Sequence, residues 1–245
     1  MTTSKASMNR TPTPWARSTG PLLIGHRGAP LQARENTEAA LDGAAAAGLD
    51  GVETDLQRTR DGWLVVHHDP ILRDGQIIAF LSRKEALEAD SDLLDIDQLR
   101  QFLEKHPAAL LNLEVKTSAP LGDTRAEETA ATLSTWPEEL LERIWISSFD
   151  PLLLLQLAAA EVPVPLAFLV RDMSALALLP VLPVVAVHPR HELVTPELVR
   201  DWHGRGLGVF TWAVNDPELA RSLLAIGVDG LIGGNPALLL EAAGR

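Results

Sequence analysis

From Pro21 onward, short runs of β-branched and other apolar residues alternate with stretches in which alanine and leucine recur at helical spacing. The extended runs lie at 22–28, 51–57, 64–68, 110–116, 144–149, 165–170, 184–189, 208–214 and 229–233. Helices are predicted at 36–47, 95–105, 124–134, 151–160, 195–203, 216–226 and 236–243. Asp150-Pro151, Thr195-Pro196 and Asp216-Pro217 each set a side-chain acceptor before a proline, the pattern of an N-cap followed by a first helical residue that needs no N–H. Strands rich in Val, Ile and Leu that alternate with helices imply a mainly parallel sheet with both faces covered. Eight βα units in roughly 225 residues suit an α/β fold of the TIM (β/α)8 barrel type, with a doubly wound open sheet as second choice.

Nine runs are one too many for that barrel. Arg60-Asp61-Gly62 reads as a tight turn joining 51–57 to 64–68, and a hairpin centred there sets Asp55 opposite His68; a short parallel crossover is the other option. Residues 70–94 are expected to form a short insertion over one end of the barrel. Residues 1–20, rich in Thr, Ser and Pro, read as a flexible tail, and 21–245 as one barrel domain.

Composition narrows the function classes. A net charge of −12 argues against a nucleic-acid or anionic-membrane surface, which needs clustered Lys and Arg. No cysteine is present, so disulfides, thiolate zinc sites and cysteine nucleophiles are excluded together. The greasiest stretch, 152–187, is broken by Glu161, Arg171, Asp172 and several prolines, too often for a membrane span. Residues 1–20 hold no apolar run of secretory type, so a soluble, cytoplasmic protein is expected, its oligomeric state left open.

The ionisable residues are placed unusually. His26-Arg27 closes the first run, Glu53 and Asp55 lie in the second, His68-Asp69 ends the third, and Glu114 and Lys116 end the fourth. Charges are rare in strands buried on both faces. Their gathering at successive carboxyl ends marks the rim where TIM-barrel active sites are built. Residues two apart share a strand face, so Glu53 and Asp55 can point together, as can Glu114 and Lys116. Three converging carboxylates make a hard-oxygen site for Mg²⁺ or Ca²⁺; surface acids paired with Arg27, Arg58 or Lys116 are the bland alternative. Two histidines beside a cation suggest general acid and base. His67, His188 and His191 read as structural, with His188 a possible site-lining residue because it too ends a strand.

HRGAP (26–30), RENT (34–37), GVETDLQRTRDGWLVVHHD (51–69), LNLEVK (111–116), SSFD (147–150), TWAVND (211–216) and GVDGLIGGNP (227–236) together resemble the glycerophosphodiester phosphodiesterases, in order across about residues 21–241. The resemblance implies a TIM barrel of the phospholipase-C-like phosphodiesterase type with one divalent metal. It implies His26 and His68 as the acid/base pair, with Glu53, Asp55 and Glu114 as metal ligands. Arg27 and Lys116 would contact phosphate, Glu35 and Asn36 would serve the substrate site, and Trp212 would line the alcohol pocket. The implied reaction is hydrolysis of a small-molecule glycerophosphodiester to sn-glycerol 3-phosphate and an alcohol, with the glycerol 2-hydroxyl attacking through a cyclic intermediate. His68 is expected to be the acid for the leaving alcohol and His26 the base.

The sequence departs from the family pattern at Arg34, where proline usually precedes ENT, and at Gly233-Gly234-Asn235-Pro236, where Thr-Asp-Arg-Pro is common. Those glycines could offer N–H groups to a phosphate, but an ordinary turn is the simpler reading. The 70–94 insertion is short and lacks the Thr/Asn/Gly-rich stretch that often follows HD. Competing readings are a lysophospholipase D or sphingomyelinase D-like phosphodiesterase, and a noncatalytic phosphodiester-binding barrel. A barrel isomerase or aldolase is disfavoured, because Lys116 beside carboxylates would keep a high pKa.

Overall fold

The computed structural model describes residues 13–16, 18–117 and 124–245. Ten strands run through them: β1 (Leu22–His26), β2 (Gly51–Arg58), β3 (Leu64–Val66), β4 (Leu94–Asp95), β5 (Leu110–Val115), β6 (Ile144–Ser148), β7 (Leu166–Val170), β8 (Ala186–Pro189), β9 (Gly208–Thr211) and β10 (Gly230–Gly233). Eight of these, β1, β2 and β5 to β10, pair in parallel, and β1 joins both β10 and β2 to close the ring. The fold is a TIM barrel. Its helices are α1 (Glu38–Ala46), α2 (Arg83–Ala89), α3 (Ile96–Lys105), α4 (Arg125–Leu133), α5 (Glu138–Leu141), α6 (Pro151–Ala159), α7 (Pro196–Gly204), α8 (Pro217–Ile226) and α9 (Pro236–Ala242). Between β7 and β8 the connection is a 3-10 segment, Met173–Val181.

The helix starts follow from local chemistry. Asp150, Thr195 and Asp216 accept hydrogen bonds from N–H groups in the first turns of α6, α7 and α8, each with proline at the start. Asn235-Pro236 does the same for α9, and Gly234 N–H donates to Asn215 Oδ1. The Gly233-Gly234 segment is therefore a turn and cap. At α1 the helix begins two residues later than the sequence suggests, because Asn36 is left-handed (φ 56°) and Thr37 is the cap.

Side chains alternate across each strand. Leu23, Val52, Leu111, Phe168, Val187 and Leu231 pack outward against the helices, while Ile24, Trp145, Ala167, Ala186, Phe210 and Ile232 fill the barrel. Trp15 closes the amino-terminal end of the barrel, its ring centred 5.6 Å from Trp145 and 5.0 Å from Phe210. Glycine at 208 makes room for it, since a Cβ there would meet Trp15 Nε1 at 2.9 Å. The tail expected to be flexible over 1–20 is thus anchored at Trp15; the rest of that expectation, on 1–12 and Arg17, lies outside the described residues.

β2 shapes the site. Its first half pairs with β1, His26 lying beside Glu53, and its last residues pair with β3 on the same edge once β1 has ended. β3 is antiparallel, as the hairpin reading requires, but its register differs by one residue: Leu56 faces Val66, and His67 N–H donates to Asp55 O. The turn centres on Asp61, whose carboxylate accepts from Thr59 Oγ1 (2.6 Å) and from Arg83 N–H (3.0 Å). His67, not His68, therefore stands opposite Asp55. The insertion over 70–94 packs around Val65, Leu72, Ile78, Leu81, Ala86 and Leu93 and returns through β4, which pairs antiparallel with β3.

Candidate active site

Parallel register lines up the inward residues of neighbouring strands. His26, Glu53 and Asn112 form one row across β1, β2 and β5; Asp55, Glu114 and Ser147 form the next row across β2, β5 and β6. Glu53, Asp55 and Glu114 are buried, and one carboxylate oxygen from each lies within 4.8 Å of the others. Lys116 Nζ sits against two of them, 2.7 Å from Asp55 Oδ1 and 2.5 Å from Glu114 Oε1.

Arg27 enters through a strained turn. Its φ of 58° is rare for a side-chain-bearing residue, and Gly28 follows at 85°. A Cβ at Gly28 would lie 2.5 Å from Ala40 of α1, so the turn is packed flat on that helix. This geometry turns Arg27 N–H toward Glu53 Oε2 (3.1 Å) and brings its Nε to 3.4 Å from Asp55 Oδ2. The guanidinium also grips Glu35, Nη1 lying 3.0 Å from both carboxylate oxygens. Asn36 Nδ2 donates to Asp55 Oδ2 at 2.8 Å.

The histidines differ. His26 Nε2 lies 3.9 Å from Glu53 Oε2, and burial, helped by Arg27, lowers its pKa to about 4. His68 is one-third exposed, and its Nδ1 lies 2.8 Å from Asp69 Oδ1. Burial lowers its pKa too, while Asp55 and the Asp69 contact pull the other way. Both rings line one cavity of about 670 Å³ at the carboxyl ends of the strands, together with Arg27, Glu53, Glu114 and Lys116.

Burial pushes Glu53 well above the ordinary carboxylate range, and Asp55 and Glu114 beside it push the same way. Glu114 is lifted to about 7, again chiefly by burial. For Asp55 the upward push of burial is outweighed by Lys116 and Arg27, so its carboxyl titrates low. Three carboxylates forced together in a buried site form an arrangement that a hard cation relieves. Among the described residues Glu53 Oε1 is buried without a hydrogen-bond partner, and the donor set is all oxygen, so Glu53, Asp55 and Glu114 fit Mg²⁺ or Ca²⁺.

The far side of the cavity is aromatic. Trp212 lines it, donating from Nε1 to His188 O (2.8 Å) and packing edge-on to Phe149 at 5.3 Å, with the Arg171 guanidinium 4.8 Å from the Phe149 ring centre. Glu35 and Asn36 reach this site indirectly. Both face an adjoining hollow of about 560 Å³ and touch the site through Arg27 and Asp55. Asn112, Ser147, Phe149 and Arg171 line the cavity without being singled out in the sequence as site residues, and Asp69, noted there at the end of the third run, lines it too. Strand alternation carries the signal for Asn112, two residues before Glu114.

Solved structures of similar fold are enzymes that act on phosphodiesters. A phosphodiesterase from Oleispira antarctica, solved in complex with the product sn-glycerol-3-phosphate, superimposes with a TM-score of 0.78 at 26% identity, over 92% of this chain and 97% of that one. The glycerophosphodiester phosphodiesterase of Thermotoga maritima gives 0.74 at 22% identity, over 93% and 100%. The class is thus a TIM-barrel phosphodiesterase. Within it, the chain belongs to the glycerophosphoryl diester phosphodiesterase family, whose sequence model matches residues 26–238. A relative named glycerophosphodiester phosphodiesterase, from Caldanaerobacter subterraneus subsp. tengcongensis, is 28% identical over 242 residues, covering 90% of this chain and 96% of its own. Among the described residues no helix is long and apolar enough to cross a membrane.

Proposed function

We propose that the protein hydrolyses glycerophosphodiesters to sn-glycerol 3-phosphate and a free alcohol, with one divalent cation and a histidine acid/base pair. The observation that carries this reading is the convergence of His26 and His68 on one cavity with the Glu53/Asp55/Glu114 triad and two cationic side chains. Glu53, Asp55 and Glu114 would hold Mg²⁺ or Ca²⁺, which supplies Lewis-acid neutralisation of charge on the phosphoryl oxygens.

The chain's own groups account for the rest. Arg27 and Lys116, both largely buried, stabilise charge growing on the nonbridging oxygens. His26, neutral because it is buried beside Arg27, takes the proton of the glycerol 2-hydroxyl as that oxygen bonds to phosphorus. His68, backed by Asp69, gives a proton to the leaving oxygen as its bond to phosphorus breaks. Water then opens the cyclic phosphate with the roles reversed, which restores both imidazoles. Trp212 and Phe149 face the alcohol.

The test is incubation of purified full-length protein with glycerophosphocholine, glycerophosphoethanolamine and a lysophospholipid, with and without EDTA. Release of sn-glycerol 3-phosphate that stops on chelation supports the reading. Activity surviving full chelation removes the metal, and turnover confined to the lysolipid makes the protein a lysophospholipase D.

A further inference from the structure

Lining the same cavity as Glu53 and Glu114 are three buried, uncharged polar side chains, Asn112, Ser147 and His188, that the reaction above does not use. An indole N–H only donates. Trp145 Nε1, 3.3 Å from His188 Nε2, therefore makes Nε2 the acceptor and leaves the ring proton on Nδ1. That Nδ1–H has no hydrogen-bond partner among the described residues, although His188 is fully buried and lines the cavity. Asn112 shows the complementary pattern. Its Nδ2 donates to Ser147 Oγ at 2.7 Å, while its buried Oδ1 has no partner among the described residues. Native proteins seldom leave buried polar groups unpaired, and such exceptions point to a ligand or an ordered water.

A free donor and a free acceptor bordering one cavity suit hydroxyl groups, which both accept and donate. We infer that His188 and Asn112 form a hydroxyl-reading floor that takes the glycerol arm of the substrate, an inference resting on the function proposed above. Burial holds His188 neutral, with a pKa of about 3, and Asn112 and Ser147 carry no charge, so the floor offers no counter-charge to an ammonium or a carboxylate. Asn112 stands beside Glu53 in register and two residues before Glu114 on β5. The glycerol arm is small and common to every glycerophosphodiester, so it can enter the closed interior. The alcohol varies in size and must leave through the open mouth. Water could offer the same hydroxyl chemistry, and the experiment separates the two sources.

The probes are sn-glycerol 3-phosphate and n-propyl phosphate, which has the same carbon chain and phosphate but no hydroxyl, titrated into Ca²⁺-loaded protein. Wild type is expected to prefer sn-glycerol 3-phosphate by about tenfold or more, the worth of one or two hydrogen bonds. His188→Phe keeps ring bulk without the N–H and should shrink that preference to about twofold, leaving propyl phosphate affinity unchanged. His188→Asn restores an N–H donor and should recover part of it. In turnover the same loss appears in KM more than in kcat. Asn112→Leu provides an independent arm should the Phe variant not fold. A preference that survives both substitutions means the floor holds only water and overturns the inference, as does equal weakening of both probes. Absence of turnover of any glycerophosphodiester by wild type would instead overturn the function on which it rests.

Discussion

Lys116 reaches back to Asp55 across the strand boundary, its Nζ 2.7 Å from Oδ1, and so places an ammonium against two of the three carboxylates that could hold a metal. The cation and a divalent ion share one pool of negative charge. Replacement of Lys116 by Met is expected to tighten Mg²⁺ or Ca²⁺ binding by about tenfold, because a neighbouring positive charge disappears. The same change should lower kcat by about a hundredfold through loss of phosphoryl contacts. Calorimetric titration of the ion beside steady-state kinetics reads both, and weaker ion binding would contradict the picture.

Asn36 holds Asp55 from the side opposite Lys116. Partners that orient a ligating carboxylate typically matter about 10–100-fold in metal affinity. Asn36→Ala should weaken the ion to that extent while leaving the cavity lining intact, and excess metal should restore much of the turnover.

Stability without metal should depend on pH in a diagnostic direction. Burial lifts Glu114 from an ordinary 4.5 to about 7, so the folded chain holds this proton more tightly than the unfolded one. Its contribution is complete below about 4.5 and is lost as pH rises through about 7. In EDTA, the apparent Tm should fall between about pH 5 and about pH 8. Calcium should recover more stability at the higher pH. Glu114→Gln should flatten the EDTA profile.

Asp69 distinguishes the two histidines. Its contact with Nδ1 raises the His68 pKa against burial, so Asp69→Asn should move the limb of the pH–rate profile that reports the acid to lower pH. His26→Ala and His68→Ala should each reduce kcat by about 10²–10⁴ with ion binding retained. Retention of full turnover by either variant removes that ring from the mechanism.

The Trp15 plug gives a test away from the chemistry. Trp15→Ala empties space against Trp145 and Phe210 and should cost about 2–4 kcal/mol of unfolding free energy, with KM unchanged.

Much of this architecture is legible in the chain. Glu53, Asp55 and Glu114 stand out because charges in a two-face-buried strand demand an explanation, and period-two spacing tells which point inward. The βα alternation likewise yields the barrel, and the Asp-Pro and Thr-Pro pairs mark the helix starts. The hairpin register departs by one residue from the sequence reading because turn geometry around Asp61, not hydrophobic pattern, decides it. Trp15 is hidden in a segment whose Thr, Ser and Pro content masks a single anchoring side chain. Glu35 and Asn36 touch the site through Arg27 and Asp55 from an adjoining hollow, a detail that adjacency to Arg27 in the chain does not reveal.

The succession of β1 and then β3 along one edge of β2 makes the separation of the two imidazoles a stepwise quantity. Backbone ladders slide only by whole residues, and each step reverses which face a side chain takes. Shortening the 59–63 loop by one position would thus not bring His68 slightly nearer to His26; it would exchange His68 for a neighbour pointing the other way. Evolution of this enzyme can vary the Trp212 and Phe149 side of the cavity smoothly, but the spacing of His26 and His68 only in jumps.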